Sequence, residues 1–306
     1  MSTPVARTTA EEYRATQTGA AAVDLSGWTV LHLRGSDTRT FLQGLATQEF
    51  EGALDGSALP TLFLNEKGRP VALAWVAVAD DGASAWVIAD DGARATLRPH
   101  FERFRVMEDV EFEGPDPKPE LFGVVGPERA ILLRELSAST TATAILASDP
   151  ISFLLAPAFD RARHGAALLT RDSFEAWRLA TGIPRTGVDI DLDRIATELS
   201  LPGAISATKG CYVGQEVVSR TSNRGQVRRR RVGFRFAWSG SPIPARAEIR
   251  AADSVVGYVT SSAREPGTNE GLGMGYLSTE SPPDGVKLSA GMGSGEVRVS
   301  VRDWPL

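Results

Sequence analysis

The chain contains one cysteine, Cys211, in the segment KGCYVGQE, which runs from Lys209 to Glu216. The thiolate is the reactive form of cysteine, and its pKa falls beside a cation or just before a helix. Lys209 supplies a nearby cation, while Gly210 and Gly214 allow tight turns and close approach of a ligand. These residues predict a reactive thiol at Cys211, with Lys209 favouring its thiolate form.

The sequence does not decide whether the residues after Gly214 form a helix or a strand. A helix starting near Gly214 would place Cys211 just ahead of its N-terminus, whereas the β-branched Val217, Val218 and Thr221 favour a strand. Cys211 can also be a small buried residue packed under a turn. A cysteine protease or acyltransferase needs a histidine base that can be distant in sequence, so spacing alone does not exclude one.

A metal site built by this chain alone is not expected. Zinc and iron–sulfur sites need several thiolates or imidazoles. The candidates here are Cys211 and three histidines, His32, His100 and His164, which show no ligand spacing.

Charge argues against DNA, RNA and membrane partners. The net charge is −5 and the pI is near 5.4, whereas polyanions attract an excess of Lys and Arg. The run Arg228–Arg231 is the exception. In an extended strand, arginines two apart share a face and suit a carboxylate or phosphate ligand, so RNA binding is disfavoured.

Length and composition indicate a globular protein with more than one domain. The chain has 306 residues, of which 42% are hydrophobic and 23% are charged. A single cysteine cannot form an internal disulfide, so we expect a cytoplasmic protein. The N-terminal residues show no signal-peptide pattern, and the longest apolar stretch, Val71–Ala79, is too short to span a bilayer.

Strand and helix patterns divide the N-terminal two thirds. TVLHLRG predicts a strand and SDTRTFLQGLAT a helix capped by Ser36 or Asp37. Hairpins are expected at Lys67-Gly68 and Asp81-Gly82, followed by a helix over 92–104. The strand–turn–helix pattern is faintly repeated later in the chain. When Gly126 is aligned with Gly35, Glu128 aligns with Asp37, Leu132 with Phe41 and Leu136 with Leu45.

The later segments give three further expectations. EGPDPKP, residues 113–119, is a connector because of its prolines. RDSFEAWRLATG predicts a helix with a capping box at Asp172 and Glu175 that ends at Gly182. Beyond Val232, short alternating strands separated by Gly, Pro and Ser predict an all-β domain of about seventy residues.

The segment KGCYVGQE resembles the signature of the YgfZ-type folate-binding proteins, relatives of the aminomethyltransferase (T-protein) of the glycine cleavage system. The likeness extends over most of 29–277, with a less recognisable middle at 111–170. It is carried by GSDTRTFLQGLAT, LNEKGR, RLATGIPRTGVDI, KGCYVGQEVVSRTSNRGQVRRR, VGYVTSSA and GLGMGYL.

The resemblance implies an α+β fold with two related folate-binding lobes around a central cavity and a C-terminal all-β barrel. The expected domains are 1–112, 113–232 with the KGCYVGQE segment, and 233–306. Tetrahydrofolate would lie in the cavity, with its pterin against aromatic side chains and its glutamate tail towards basic residues. These are expectations of fold and ligand that the residue patterns alone do not give.

The resemblance also implies roles for individual residues. Trp28 and Trp177 occupy the positions of two tryptophans found in folate-binding members, although a large aromatic on an apolar helix face is usually core. Cys211 and Lys209 are the expected reactive pair. The other expected cofactor-binding residues are Arg178, Tyr212, Gln215, Glu216 and Arg220, with Gly210 and Gly214 shaping the motif.

Two departures from the transferase branch affect the expected function. Ala180 stands where aminomethyltransferases have an acidic residue, and Asn65 where an aspartate is usual. Uncharged side chains cannot assist proton transfer as a carboxylate does. The resemblance therefore implies a tetrahydrofolate-binding accessory protein for iron–sulfur enzymes or assembly factors, including radical tRNA-modifying enzymes. The alternatives are a folate-dependent aminomethyl- or methyltransferase and a docking module without folate.

Overall fold

A computed structural model describes residues 8–113, 119–139, 142–157, 167–224, 227–280, 288–292 and 295–304. His164 and the middle of the 113–119 connector lie outside the described residues. Six α-helices are found in the described ranges: α1 Thr9–Thr18, α2 Thr38–Leu45, α3 Leu97–Phe104, α4 Arg129–Ser139, α5 Arg171–Thr181 and α6 Gln215–Arg224. None of the described helices is long and apolar enough to cross a bilayer.

The first of two five-stranded sheets is antiparallel throughout. Its spatial order is β3 (Leu59–Leu64), β4 (Pro70–Val78), β5 (Ser84–Ala89), β2 (Thr29–Arg34) and β6 (Glu111–Glu113). Helices α2 and α3 contribute apolar side chains to a core with this sheet, among them Phe41, Leu45 and Phe101. The hairpins expected at Lys67-Gly68 and Asp81-Gly82 are both present.

One helix in this region is shorter than its sequence predicted. The expected helix 92–104 begins only at Leu97, and a single 3-10 turn covers Asp91–Ala93. Gly92 lies against the backbone of Thr186, where an added Cβ would come within 2.0 Å of the carbonyl oxygen. This contact with a distant loop fixes a turn where the local pattern favours helix.

The second sheet combines strands from distant parts of the chain. Its order is β10 (Ala167–Leu168), β1 (Ala21–Asp24), β7 (Glu120–Val125), β9 (Ile151–Ala156) and β8 (Ala144–Leu146), with only the β1–β10 pair parallel. Strand β1 therefore precedes the first sheet in sequence but pairs in the second. The domain boundaries expected from sequence stay a prediction.

The weak sequence repeat corresponds to a structural one. β2 ends one residue before Gly35 and α2 begins at Thr38, while β7 ends one residue before Gly126 and α4 begins at Arg129. Both glycines have positive φ, 139° and 101°, and both meet backbone carbonyls that a Cβ would strike. The two strand–glycine–helix units therefore share their spacing and their turn.

The C-terminal domain is a closed six-stranded barrel, which confirms the all-β barrel that the family resemblance implied. Its strands are β11 (Arg229–Ala237), β12 (Glu248–Ala251), β13 (Ser254–Arg264), β14 (Glu270–Ser278), β15 (Leu288–Met292) and β16 (Gly295–Arg302), joined in the order β11-β14-β13-β12-β15-β16. Phe234 and Phe236 lie over Gly273 and Gly271, where a Cβ would come within 2.2 Å of either ring. The α+β class with an appended barrel is confirmed.

Helix α5, which leads into the central part of the molecule, starts earlier than expected. Its N-cap is Thr170, whose hydroxyl accepts from the Ser173 backbone N–H, so the capping box predicted at Asp172 is wrong. The predicted end is right, because Gly182 adopts φ 79° and its N–H donates to the Arg178 carbonyl.

Candidate functional site

The KGCYVGQE segment closes the C-terminal end of α2. The last carbonyls of a helix have no partner within the helix. The Lys209 ammonium donates to the carbonyls of Gln43 (2.8 Å), Ala46 (2.7 Å) and Gln48 (2.7 Å). The Val213 N–H donates to the carbonyl of Gly44 at 3.0 Å. Lys209 and its segment therefore satisfy the orphan carbonyls at the end of the FLQG helix.

Lys209 is more buried than a solvated cation would be. Only 7% of it is exposed, and burial lowers its pKa to about 8, against the opposing effect of the Glu49 carboxylate. The ammonium also lies 5.3 Å from the centre of the Tyr212 ring. Because all three ammonium hydrogens reach backbone carbonyls, the structure gives Lys209 a positioning role. Its predicted effect on the Cys211 thiolate stays a prediction.

Cys211 is exposed, although Lys209 two residues before it and Tyr212 just after it are buried. Lys209 is held by α2, and Tyr212 is 9% exposed, with its pKa raised by burial. The thiol is free and faces solvent. The expectation of a buried small cysteine under a turn is therefore wrong.

The segment continues directly into helix α6 rather than into a strand. The chain turns at Gly214, which has φ 80°, and α6 begins at Gln215. A Cβ on Gly214 would lie 2.6 Å from the backbone oxygen of Asn65. Likewise, a Cβ on Gly68 would lie 2.7 Å from the Val217 Cβ. Two glycines therefore allow the LNEKGR hairpin to pack against the motif, ahead of the helix N-terminus.

The residues predicted to bind the cofactor in and just before α6 lie at or near the protein surface. Glu216 and Arg220 form an i,i+4 ion pair, with 84% and 58% of their side chains exposed. Gln215 and Tyr212 line a groove of about 640 Å³ together with Val218. Gly210 is exposed, and a Cβ there would meet nothing within 4 Å.

A separate central cavity is bounded by both sheets and the barrel. Its volume is about 190 Å³. The walls are formed by Pro60, Leu73 and Trp75 of the first sheet, Asp149 and Pro150 beside the second, Thr181 to Pro184 after α5, the 200–204 loop, and Arg231 and Trp304 of the barrel domain. None of the predicted cofactor-binding residues is on these walls.

Two residues on the wall of this cavity, Arg231 and Trp75, carry hydrogen-bond donors that are buried. Arg231 is 3% exposed and donates to the carbonyls of Leu199 (2.6 Å) and Gly182 (2.7 Å). Its guanidinium lies 4.3 Å from the Trp304 ring, and no carboxylate among the described residues pairs with it. Burial lowers its pKa to about 10. The Trp75 Nε1 is also buried, and it has no hydrogen-bond partner.

Trp28 and Trp177 belong to an aromatic cluster that reaches the cavity through Trp75. The ring of Trp28 lies 5.8 Å from Trp75 and 6.4 Å from Phe174, which in turn stacks on Trp177 at 5.6 Å. Trp28 is half-buried, whereas Trp177 is only 4% exposed. Trp177 therefore packs as a core residue. Its predicted folate contact, like that of Trp28, stays a prediction.

Arg178 is committed to internal ion pairs. It is 1% exposed and pairs with Glu175 and with Asp189, whose Oδ2 lies 2.8 Å from Nη1. Its Nη1 also donates to the Ile183 carbonyl. The Arg178 guanidinium is therefore occupied by internal partners, and its predicted cofactor contact stays a prediction.

Models of two domain families match the chain. The GCVT N-terminal domain matches residues 2–159, and the glycine cleavage T-protein C-terminal barrel domain matches 229–306. The chain belongs to the glycine cleavage T-protein family. The recognition made from the KGCYVGQE segment and its flanking motifs is thereby confirmed.

Several relatives in this family are similar over most of their length. The human mitochondrial iron–sulfur cluster assembly factor IBA57 is 28% identical over 93% of this chain and 85% of its own. The tRNA-modifying protein YgfZ of Klebsiella pneumoniae is 28% identical over 67% and 68%. The mitochondrial aminomethyltransferase of Solanum tuberosum is 27% identical over 87% and 74%.

The fold is shared with a solved T-protein. The glycine cleavage system aminomethyltransferase of Bartonella henselae superposes with a TM-score of 0.79 at 17% identity, covering 97% of this chain and 89% of that one. At this identity the likeness shows the T-protein-like fold alone.

Sequence reasoning missed three buried residues at or near the central cavity, Trp75, Arg231 and Asp189. Trp75 lies in the apolar run Val71–Ala79 and carries no local sign of a ligand. Arg231 was visible only as the last residue of a basic run. Asp189 lies in GVDIDLDR, where three aspartates alternate with apolar residues, so the local sequence does not single it out as a buried partner.

Metal ligands do not cluster in the described part of the chain. No group of three or more His, Cys, Asp or Glu side chains is placed to hold an ion there.

Proposed function

We propose that this protein is a tetrahydrofolate-binding accessory factor for the assembly or repair of iron–sulfur clusters in client proteins, with Cys211 as the group that meets the client. The observation that carries the proposal is the exposed thiol, fixed between the buried side chains of Lys209 and Tyr212. The names of the human and Klebsiella relatives, an iron–sulfur assembly factor and a tRNA-modifying protein, support this class of function.

The position of Cys211 suits a transient contact with a cluster or its scaffold. A thiolate is a soft ligand that iron–sulfur clusters favour. When Cys211 ligates a partner-bound iron, the thiol proton leaves to water and no electron is transferred.

The central cavity fits one ring of a folate. The Trp75 Nε1 is a buried donor without an acceptor among the described residues, and a ring with carbonyl or nitrogen acceptors would satisfy it. At about 190 Å³ the cavity is smaller than the 300–1,000 Å³ typical of ligand pockets, so the remainder of a folate would extend outside it.

The cavity lacks the groups expected of a transferase. Its one carboxylate among the described lining residues is Asp149, which pairs with Arg129 and is 81% exposed. Ala180 carries no charge, and the Asn65 Oδ1 accepts from the backbone N–H groups of Lys67 and Arg69 inside the hairpin. Proton transfer by a carboxylate in the cavity is therefore not supported, and the accessory role is preferred to aminomethyl transfer.

Folate binding is tested by an anaerobic tetrahydrofolate titration followed by tryptophan fluorescence and calorimetry. We expect saturable binding that weakens about tenfold in Trp75→Phe, because a donor in the cavity is lost. Trp238→Phe, outside the cavity, is the matched control and should bind as the native protein does. Absence of saturable binding in the native protein would reject the folate part and favour a docking module.

The thiol is tested separately in a strain that lacks the protein. We expect Cys211→Ser to bind tetrahydrofolate normally but to leave the activities of iron–sulfur enzymes low. Ser219→Ala, an exposed change on the neighbouring helix, should restore them. Full restoration by Cys211→Ser would sink the proposed role of the thiol while leaving folate binding standing.

A further inference from the structure

A groove of about 640 Å³ lies beside the KGCYVGQE segment and is separate from the central cavity. Part of its wall comes from the 196–207 segment, and part from α6 and Val227. Gln215, Val218 and Ser222 of α6 line it, and their spacing of three and four residues places them on one face of the helix. The groove therefore lies along the helix that directly follows the motif.

Tyr212 brings a buried hydroxyl to the wall of this groove. None of the described residues hydrogen-bonds to that hydroxyl, and burial alone raises its pKa. The ring is held in place by the Lys209 ammonium, which lies 5.3 Å from its centre. Because burial favours the neutral phenol, the hydroxyl keeps its proton and can donate it. A buried donor without an acceptor favours a ligand that brings one.

The described residues that line the groove carry no charge. Its apolar part includes Leu201, Ile205 and Val218, while Ser200 and Ser222 contribute exposed hydroxyls. A charged occupant would lose water here without gaining an opposite charge. Nucleic acid is disfavoured for the same reason, since its phosphates need Lys and Arg. The groove therefore suits an uncharged occupant with apolar side chains and hydrogen-bonding groups.

The position of the groove next to the thiol indicates where that occupant comes from. Tyr212 follows Cys211 directly, so their Cα atoms are about 3.8 Å apart. A protein that meets the exposed thiol of Cys211 therefore brings the residues beside its contact point to this groove. The volume lies within the roughly 300–1,000 Å³ of ligand pockets, which suits a short chain segment. The backbone of such a segment supplies carbonyl acceptors for the Tyr212 hydroxyl.

We propose that this groove binds a short uncharged segment of the client protein, the segment that flanks the group meeting Cys211, and that the Tyr212 hydroxyl donates to one of its backbone carbonyls. The inference rests on the proposed function and names the part of the client that the site recognises. Selection among clients then depends on the residues around the contact point as well as on the thiol.

The experiment uses the full chain and the peptide Gly-Ser-Val-Cys-Val-Ser-Gly, blocked at both ends, whose cysteine carries a pyridyl disulfide. The Cys211 thiolate attacks the peptide sulfur, the bond from that sulfur to the pyridyl sulfur breaks, and pyridinethione leaves with the proton. We expect the rate of pyridinethione release to saturate with peptide concentration, because the groove binds the peptide before exchange. Peptides with Glu or with Lys in place of both Val should react about tenfold more slowly at low concentration.

Two variants separate binding in the groove from reactivity of the thiol. Tyr212→Phe keeps the ring but loses the donor, so its reaction with the neutral peptide should slow by about threefold to tenfold. Its reaction with dipyridyl disulfide, which is too small to need the groove, should not change. Ser222→Trp fills the groove and should slow the peptide reaction by about tenfold or more. Ser254→Trp, at an exposed position outside the groove, is the matched control and should react as the native protein does.

Three outcomes of the exchange assay would overturn the proposal. They are a rate that stays linear in peptide concentration, faster reaction of the Glu or Lys peptide than of the neutral one, and equal slowing of the peptide and of dipyridyl disulfide in Tyr212→Phe. Calorimetry with the Ala-for-Cys peptide repeats the test without exchange, and the absence of saturable heat there would equally reject the groove. The proposed function fails by a different result, restoration of iron–sulfur enzymes by Cys211→Ser, which leaves saturable peptide binding standing.

Discussion

Arg178 and Asp189 form an ion pair inside the protein, with 2.8 Å between Nη1 and Oδ2 and almost no solvent contact on either side chain. Asp189 also accepts from the hydroxyls of Thr260 and Ser261 on the barrel strand β13. The pair therefore joins helix α5, the GIPRTGVDI loop and the barrel at one point, beside the central cavity.

Replacing Asp189 by Asn should destabilise the protein by about 3 kcal/mol or more at neutral pH, because Arg178 is left as a buried charge that has lost one partner. Burial raises the pKa of Asp189, but the Arg178 guanidinium and the two hydroxyls outweigh it and hold that pKa below its ordinary value. As pH falls, the Asp189 carboxylate is therefore protonated at a higher pH in the unfolded chain than in the folded protein. The stability from this pair is complete above about pH 4 and is lost as pH falls further through the folded pKa.

Chemical denaturation of the native protein and of Asp189→Asn at several pH values measures this difference. It should be constant from neutral pH to about pH 5 and shrink below about pH 4. Glu216→Gln, which breaks the exposed pair with Arg220, is the control and should cost less than about 0.5 kcal/mol. A loss in Asp189→Asn no larger than in Glu216→Gln would contradict the assigned role.

Replacing Lys209 by Met should cost about 3 kcal/mol, because the carbonyls of Gln43, Ala46 and Gln48 lose their donor while staying largely buried. Thermal unfolding should show a melting temperature lower by about 5 °C or more. Lys67→Met, at an exposed hairpin position, should change it little. Equal melting temperatures for the two variants would show that α2 does not depend on the Lys209 contacts.

Cys211 should react with a thiol reagent in the folded protein. Because the thiol is exposed and is the only one in the chain, we expect one equivalent to be labelled without denaturant. Ellman's reagent measures the stoichiometry, and the melting temperature of the labelled protein should stay close to that of the native one. Labelling that begins only after denaturant is added would contradict the exposed position.

The fold was largely predictable because its signals are local. Gly35 and Gly126 mark the repeated turn, and the alternating strands after Val232 mark the barrel. The central contacts were not predictable in this way, since Lys209 meets the end of α2 and Arg178 meets Asp189 only in the folded chain. From the sequence, Lys209 two residues before Cys211 suggests a cation that activates the thiol. In the structure, the Lys209 ammonium instead donates to backbone carbonyls at the C-terminal end of α2.

Replacement by alanine should destabilise the protein at one glycine of the KGCYVGQE segment and leave it almost unchanged at the other. Gly214 has φ 80°, and a Cβ there would lie 2.6 Å from the Asn65 backbone oxygen, so Gly214→Ala strains the backbone and pushes the hairpin away from the motif. We expect a loss of about 2 kcal/mol or more in unfolding free energy. Gly210→Ala meets nothing within 4 Å at an exposed position and should cost less than about 0.5 kcal/mol. Denaturant unfolding of both variants, with thiol labelling of Cys211 alongside, measures the two losses of unfolding free energy. A large loss in Gly210→Ala with none in Gly214→Ala would mean that the hairpin does not depend on the turn at Gly214. The expected result, a large loss only in Gly214→Ala, would show that the geometry ahead of α6 depends on Gly214 and not on Gly210.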